Sequence, residues 1–122
     1  MILADTSVWI EHLRYGNERM REHLNHGQIA SHPFIVAELA LGSLKERAST
    51  LALMDLLPQV RMARIEEVRA MIEGRHLYNL GIGLVDAHLI ASVFLNPFTC
   101  LWSRDKQLRK VAAILGIDAG LA

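Results

Sequence analysis

Four carboxylates stand out by where they sit in the chain: Asp5, Glu38, Asp86 and Asp105. Asp5 follows the short apolar run Met1 to Ala4, and Asp105 follows the apolar stretch Phe98 to Trp102 after Ser103 and Arg104. Each is placed where a strand would hand over to a loop, the end of an α/β sheet at which ligands and catalytic groups collect. Asp86 stands in Leu84-Val85-Asp86-Ala87-His88-Leu89-Ile90-Ala91, and the neighbours of Glu38 from Phe34 to Leu41 are all apolar. An ionised carboxylate in such surroundings takes a proton, finds a cation or caps a helix end, because burying it unpaired is too costly. Plain helix capping and turn formation are common duties of Asp and compete with this reading for Asp5 and Asp105. Four acids gathered in one pocket would repel one another and raise some of their pKa values, a strain that a divalent cation relieves. All-oxygen donors suit Mg²⁺ or Mn²⁺ and argue against structural zinc. Such a site activates water and neutralises charge on a phosphodiester, so hydrolysis of nucleic acid is the expected chemistry.

Other chemistries lack their residues. The six histidines (His12, His23, His26, His32, His76 and His88) show no repeated ligand spacing, and His88 reads as a hydrogen-bonded core residue rather than a ligand. Gly81-Ile82-Gly83 lacks the further glycine of a nucleotide-binding loop and follows a helix, not a strand. No serine nucleophile elbow is present. A receiver-type signalling module, with Asp55 as phospho-acceptor and Lys106 late in the chain, is a weak alternative. Thr6 stands where a second acid is expected beside Asp5, and Asp55 lies within the helical run Leu51 to Leu57.

The elements that must position the acids alternate. Met1 to Ala4 reads as a strand feeding a helix that carries Val8, Trp9, Ile10 and Leu13, with Thr6 or Ser7 as its cap. A second helix covers Glu18 to His26 and stops at Gly27, and Gln28 to His32 is short and extended. Pro33 opens a helix that runs to about Leu41 and carries Glu38. Further helices are expected over Leu44 to Leu57, Arg64 to Leu80, Leu84 to Leu95 and Lys106 to Leu115, with strands at Gln59 to Ala63 and Phe98 to Trp102. The alternation predicts an α/β fold with a short, mostly parallel central sheet flanked by helices, in a single domain over residues 1–122.

Composition narrows the class further. Thirteen basic and thirteen acidic residues cancel, so the whole-molecule field gives no steering toward nucleic acid and any RNA contact must be local. Arg104, Lys106, Arg109 and Lys110, clustered beside Asp105, are the candidate phosphate contacts, with a solvated helix face as the competing reading. No apolar run approaches the roughly 20 residues of a membrane span. The N-terminus lacks a signal-peptide pattern, and Cys100 is the only cysteine and reads as a small buried hydrophobe. A cytoplasmic protein with no membrane contact is expected.

Asp5-Thr6-Ser7 after an N-terminal strand, Glu38 in Val36-Ala37-Glu38-Leu39, Asp86 in Leu84-Val85-Asp86-Ala87, and Ser103-Arg104-Asp105 near the end form a familiar series. The chain resembles the PIN-domain ribonucleases, and most closely the VapC-type toxins of bacterial toxin–antitoxin pairs. The resemblance implies a PIN-like α/β/α fold in which Asp5, Glu38, Asp86 and Asp105 form an acidic Mg²⁺ or Mn²⁺ site, Asp5 and Asp86 being the direct metal ligands. It also implies that Thr6 and Ser103 orient the acids. Endoribonuclease activity on structured RNA such as transfer RNA, a homodimer, and inhibition by a VapB-type antitoxin whose C-terminal segment fills the active-site groove follow from the same likeness. A catalytically silent module that keeps the fold and binds a partner is the alternative.

Overall fold

The structure, a computed structural model, describes residues 1–122. Strand β1 (Ile2–Ala4) is the middle of a three-stranded parallel sheet of order β2-β1-β3, with β2 at Ile29–Ala30 and β3 at Cys100–Trp102. Ile2 pairs with Ile29 and Cys100, Leu3 with Ala30 and Leu101, and Ala4 with Trp102. A central parallel strand is covered on both faces, which is why β1 is an unbroken apolar run. Leu3, Leu101 and Trp102 are fully buried.

Parallel neighbours require crossovers, and helices supply them. Helices α1 (Thr6–Tyr15) and α2 (Glu18–Asn25) connect β1 to β2. Helices α3 (Pro33–Leu41), α4 (Arg47–Leu56), α5 (Ile65–Gly74) and α6 (Leu84–Leu95) connect β2 to β3, and α7 (Lys106–Ile114) follows β3. The main core joins the strands to Val8, Met20, Ile35, Met54, Ile90 and Leu108, so every helix except α5 contributes to it. A smaller cluster of Ala63, Val68, Ala87 and Ala91 packs α5 against α6.

Several boundaries differ from the sequence reading, each for a local reason. The cap of α1 is Asp5, not Thr6 or Ser7, because its carboxylate accepts the Val8 N–H at 3.3 Å. The fourth helix starts at Arg47 rather than Leu44: the Arg47 guanidinium reaches back to Ala40 O at 2.6 Å, satisfying the carbonyl end of α3 and turning the chain. The segment Gln59 to Ala63 forms only a single bridge, Gln59 to Ser31, since the Asn96 side chain takes both the N–H and the carbonyl of Arg61. Helix α5 ends at Gly74 rather than Leu80. His76 and Asn79 adopt left-handed backbone angles, φ 56° and 61°, as the chain turns to bury Leu77 in the core. Cys100 is half-buried at the sheet margin rather than enclosed.

His32 caps α3 through Nδ1, which accepts the Phe34 N–H at 3.0 Å, and the Phe34 ring packs edge-on against both His32 and His88. Burial and the neighbouring His88 hold the His32 pKa down to about 4. The unfolded chain takes this proton near 6.5. The stability that neutral His32 supplies is therefore complete above pH 6.5 and lost as pH falls from there toward 4. We predict that His32→Asn, which can keep the cap, flattens this acid-side slope in urea unfolding measured between pH 7 and 4; an unchanged slope would place the proton elsewhere.

Candidate active site

The parallel pairing of β1 with β3 carries both chains to the same edge, where Asp5 and Asp105 leave the sheet side by side. Asp5 is buried, and three donors hold its carboxylate. Ser7 Oγ and the Val8 N–H bond to Oδ1, and Ser103 Oγ bonds to Oδ2. Ser103 Oγ in turn accepts the Asp105 N–H at 3.0 Å, and Ser7 Oγ accepts the Arg104 N–H at 2.9 Å. Two serines thus lace the β3–α7 turn onto the β1–α1 turn. Asp105 caps α7 by accepting the Leu108 N–H through Oδ1 at 2.9 Å. Asp5 and Asp105 therefore do take the capping role, and in Asp105 it leaves Oδ2 without a hydrogen bond from the protein.

Asp86 lies in the first turn of α6, half-buried, with Oδ2 accepting the Gly83 N–H at 3.2 Å. Glu38 is exposed, contrary to the buried setting that its apolar neighbours suggest. Helix α3 buries Ile35 and Leu39 but leaves Ala37, Glu38 and Leu41 at the surface. The Thr6 hydroxyl donates to Glu38 Oε1 at 2.7 Å, linking α1 to α3. His88, two residues beyond Asp86, is in the core, but its Nδ1 has no hydrogen-bond partner, unlike the satisfied histidine expected from sequence. Asp55 lies in α4, away from any strand end, which removes the basis of a receiver-like site.

The electrostatics tie the four acids together. Burial pushes the Asp86 carboxyl above the ordinary carboxylate range, and the charges of Asp105, Asp5 and Glu38 push it the same way. Burial likewise raises Asp5, although the Ser103 and Ser7 hydroxyls and the backbone N–H groups of Val8 and, more weakly, Ser7 oppose it. One oxygen each of Asp86, Asp105 and Glu38 accepts no hydrogen bond from the protein. As they stand, no three His, Cys, Asp or Glu side chains converge closely enough to hold a metal ion by themselves. The donor chemistry nevertheless fits Mg²⁺ or Mn²⁺: oxygen only, an excess of negative charge, and free oxygens on facing elements. Mg²⁺ in particular keeps several waters and needs only one or two carboxylates.

Sequence reasoning singled out these acids and the hydroxyls of Thr6 and Ser103, but it treated Ser7 only as a possible cap. Its place two residues after Asp5, where an Asp carboxylate commonly bonds forward, was the available signal. Glu11 was missed altogether. It lies 3.1 Å from Arg104 Nε, a pairing across the fold with no mark in local sequence.

A carboxyl with a raised pKa destabilises the fold as pH climbs from the free-acid value, 3.8, through its folded value, because only the unfolded chain ionises freely there. We predict that Asp86→Asn, which keeps an oxygen for Gly83, raises the melting temperature in EDTA at pH 7 by on the order of 2 °C, after screening at this half-exposed position. The gain should vanish below pH 3.8. Added Mn²⁺ should stabilise the wild type more than the variant, and equal metal responses would remove Asp86 from the cation site.

A family model described as "PIN domain" matches residues 2–114. Ribonuclease VapC32 from each of two strains of Mycobacterium tuberculosis is 44% identical over 117 residues, which is 96% of this chain and 94% of that protein. Family and fold agree, since seven helices around a short parallel sheet are what the resemblance implied. The chain belongs to the PIN-domain family and, within it, to the VapC type.

Proposed function

We propose that the protein is a Mg²⁺- or Mn²⁺-dependent endoribonuclease, the toxin of a toxin–antitoxin pair, acting at Asp5, Glu38, Asp86 and Asp105. The observation that carries this reading is the field at Asp86. Burial raises its pKa first, and the charges of Asp105, Asp5 and Glu38, on separate elements, push it the same way, a charge excess that a divalent cation would offset. The name of the relatives, ribonuclease, supports RNA as the substrate class.

Asp5 and Asp86 would hold the ion directly, with Glu38 and Asp105 completing the acidic site. When bound, the ion supplies Lewis-acid activation of a water and neutralises phosphoryl charge. The chain's own part is orientation. Ser7 and Ser103 fix Asp5, Thr6 holds Glu38 by one oxygen and leaves the other free, and the Gly83 N–H does the same for Asp86. On the water route a free carboxylate oxygen takes the water's proton as the water oxygen bonds to phosphorus, the P–O3′ bond breaks and the departing 3′-oxygen takes a proton from solvent, leaving a 5′-phosphate and a 3′-hydroxyl.

The proposed partners are RNA such as transfer RNA, a VapB-type antitoxin and a second copy of the chain, in the cytoplasm. No helix is long and apolar enough to cross a membrane. A groove between α1 and the α3–α4 turn mixes Ile10, Leu13, Leu39 and Leu44 with the charged side chains of Arg14, Lys45 and Glu46, a surface compatible with a protein partner. Leu41 and Leu56 are 88% and 81% exposed on α3 and α4.

Purified protein should cut a total RNA preparation into discrete fragments with Mg²⁺ or Mn²⁺ and not with EDTA. Asp5→Ala and Asp86→Ala should each lower the rate by about 10²-fold or more while the protein stays folded. Unchanged cleavage by either variant rejects the assignment, and RNA left intact by folded, metal-binding protein favours the silent partner-binding module. Lys106 and Lys110 are exposed one turn apart on α7. Replacing both with Ala should weaken RNA binding and reduce the salt slope by about 1.4 on a single strand. A constant slope takes them out of the interface.

A further inference from the structure

An acidic pocket repels a polyanionic substrate, so a nuclease of this kind needs a cation fixed at the acids themselves. Arg104 lies between Ser103 and Asp105, and its backbone is tied down by the bond from its N–H to Ser7 Oγ. Its side chain is anchored independently. Arg104 Nε lies 3.1 Å from Glu11 Oε2, while Glu11 Oε1 accepts a hydrogen bond from Asn17 Nδ2 at 2.9 Å. Asn17 is in turn fixed as the cap of α2, its Oδ1 accepting the Met20 N–H and its own N–H donating to His12 Nδ1, both at 3.0 Å.

The way the ion pair is made matters more than its strength. An exposed pair adds little stability. Glu11 Oε2 meets Arg104 at Nε as an ion-pair contact without a directed hydrogen bond, and no protein group accepts a hydrogen bond from either terminal nitrogen of Arg104. A guanidinium held by its inner nitrogen keeps its outer fork for a phosphate, which such a fork matches in shape and charge. Lys106 and Lys110, by contrast, have no ion-pair partner to orient them.

We infer that Glu11, braced by Asn17, is a positioning residue that holds Arg104 so that its terminal nitrogens receive a phosphate of the bound strand beside Asp5 and Asp105. This rests on the nuclease reading and specifies which of the four clustered cations meets the phosphate at the acids. The opposite assignment has Glu11 sequestering Arg104 from RNA, and the two predict opposite effects of removing Glu11.

Single-turnover cleavage at saturating RNA and Mn²⁺ separates them, with melting temperatures confirming that each variant folds. Arg104→Ala should slow the cleavage step about 100-fold and Glu11→Ala about 10-fold. Glu11→Gln, which retains an oxygen for Nε, should recover much of the loss. The double variant should be no slower than Arg104→Ala alone. Faster cleavage by Glu11→Ala, or losses that multiply in the double variant, overturns the inference. Wild-type protein that cuts no RNA marks failure of the nuclease reading instead, and Arg104 is then decided with inorganic phosphate. Its guanidinium ¹⁵N resonances should shift on phosphate titration in the wild type and respond more weakly in Glu11→Ala, and resonances that do not move overturn the positioning role.

Discussion

The fold is organised around one buried carboxylate. Asp5 is 5% exposed, and burial raises its pKa against the opposing pull of hydrogen bonds from Ser7, Val8 and Ser103. Those bonds are also the joints between β1, α1 and the β3–α7 turn, so the same contacts that tolerate the charge align the parallel strand ends. Removing the carboxylate leaves two hydroxyls and an N–H that formed their bonds to it. That coupling gives the residue proposed for the chemistry a structural role as well.

Like charges gathered at one edge need compensation from the scaffold, and helix ends provide part of it. Asp5 caps α1, Asp105 caps α7, and Asp86 lies in the first turn of α6. The partial positive charge of a helix N-terminus favours an anion there by a few tenths to about 1 kcal/mol. Three such ends aimed at one pocket moderate the acids' mutual repulsion without abolishing it, since Asp86 still feels the other three acids. The same ends favour an incoming phosphate. A chain with no net charge can therefore present a locally structured field, and within a Debye length of about 8 Å the arrangement counts for more than the total.

Much of this was legible in the sequence because strand ends and helix starts leave local marks. An acid directly after an apolar run, as at Asp5, or at the head of an apolar helix, as at Asp86, can be read without knowing the partners. The misreadings arose where tertiary contacts override local pattern. The apolar stretch around Glu38 predicted burial, but apolarity does not distinguish a core helix from one whose face is left at the surface, and Leu41 is 88% exposed. The strand expected at Gln59 to Ala63 was displaced by a single side chain, Asn96, just past the end of α6 and more than thirty residues away. Glu11 on an amphipathic helix looks like any solvated acid until Arg104 is brought to it.

The hydrogen bonds divide the pocket into a fixed acid and adjustable ones. Asp5 is locked from three directions, whereas Glu38 is held by one threonine hydroxyl on an exposed helix face and Asp86 by one backbone N–H. Asp105 has one oxygen committed to capping α7 and the other free. A rigid reference point with mobile partners accounts for the absence of a ready cage of three carboxylates, because full convergence of the acids without a counter-ion would be electrostatically uphill. It also sets where selectivity comes from. On the proposed reading an ion entering the site would gather donors of one chemical kind, and a hard cation that retains part of its water shell would demand the least further movement from them.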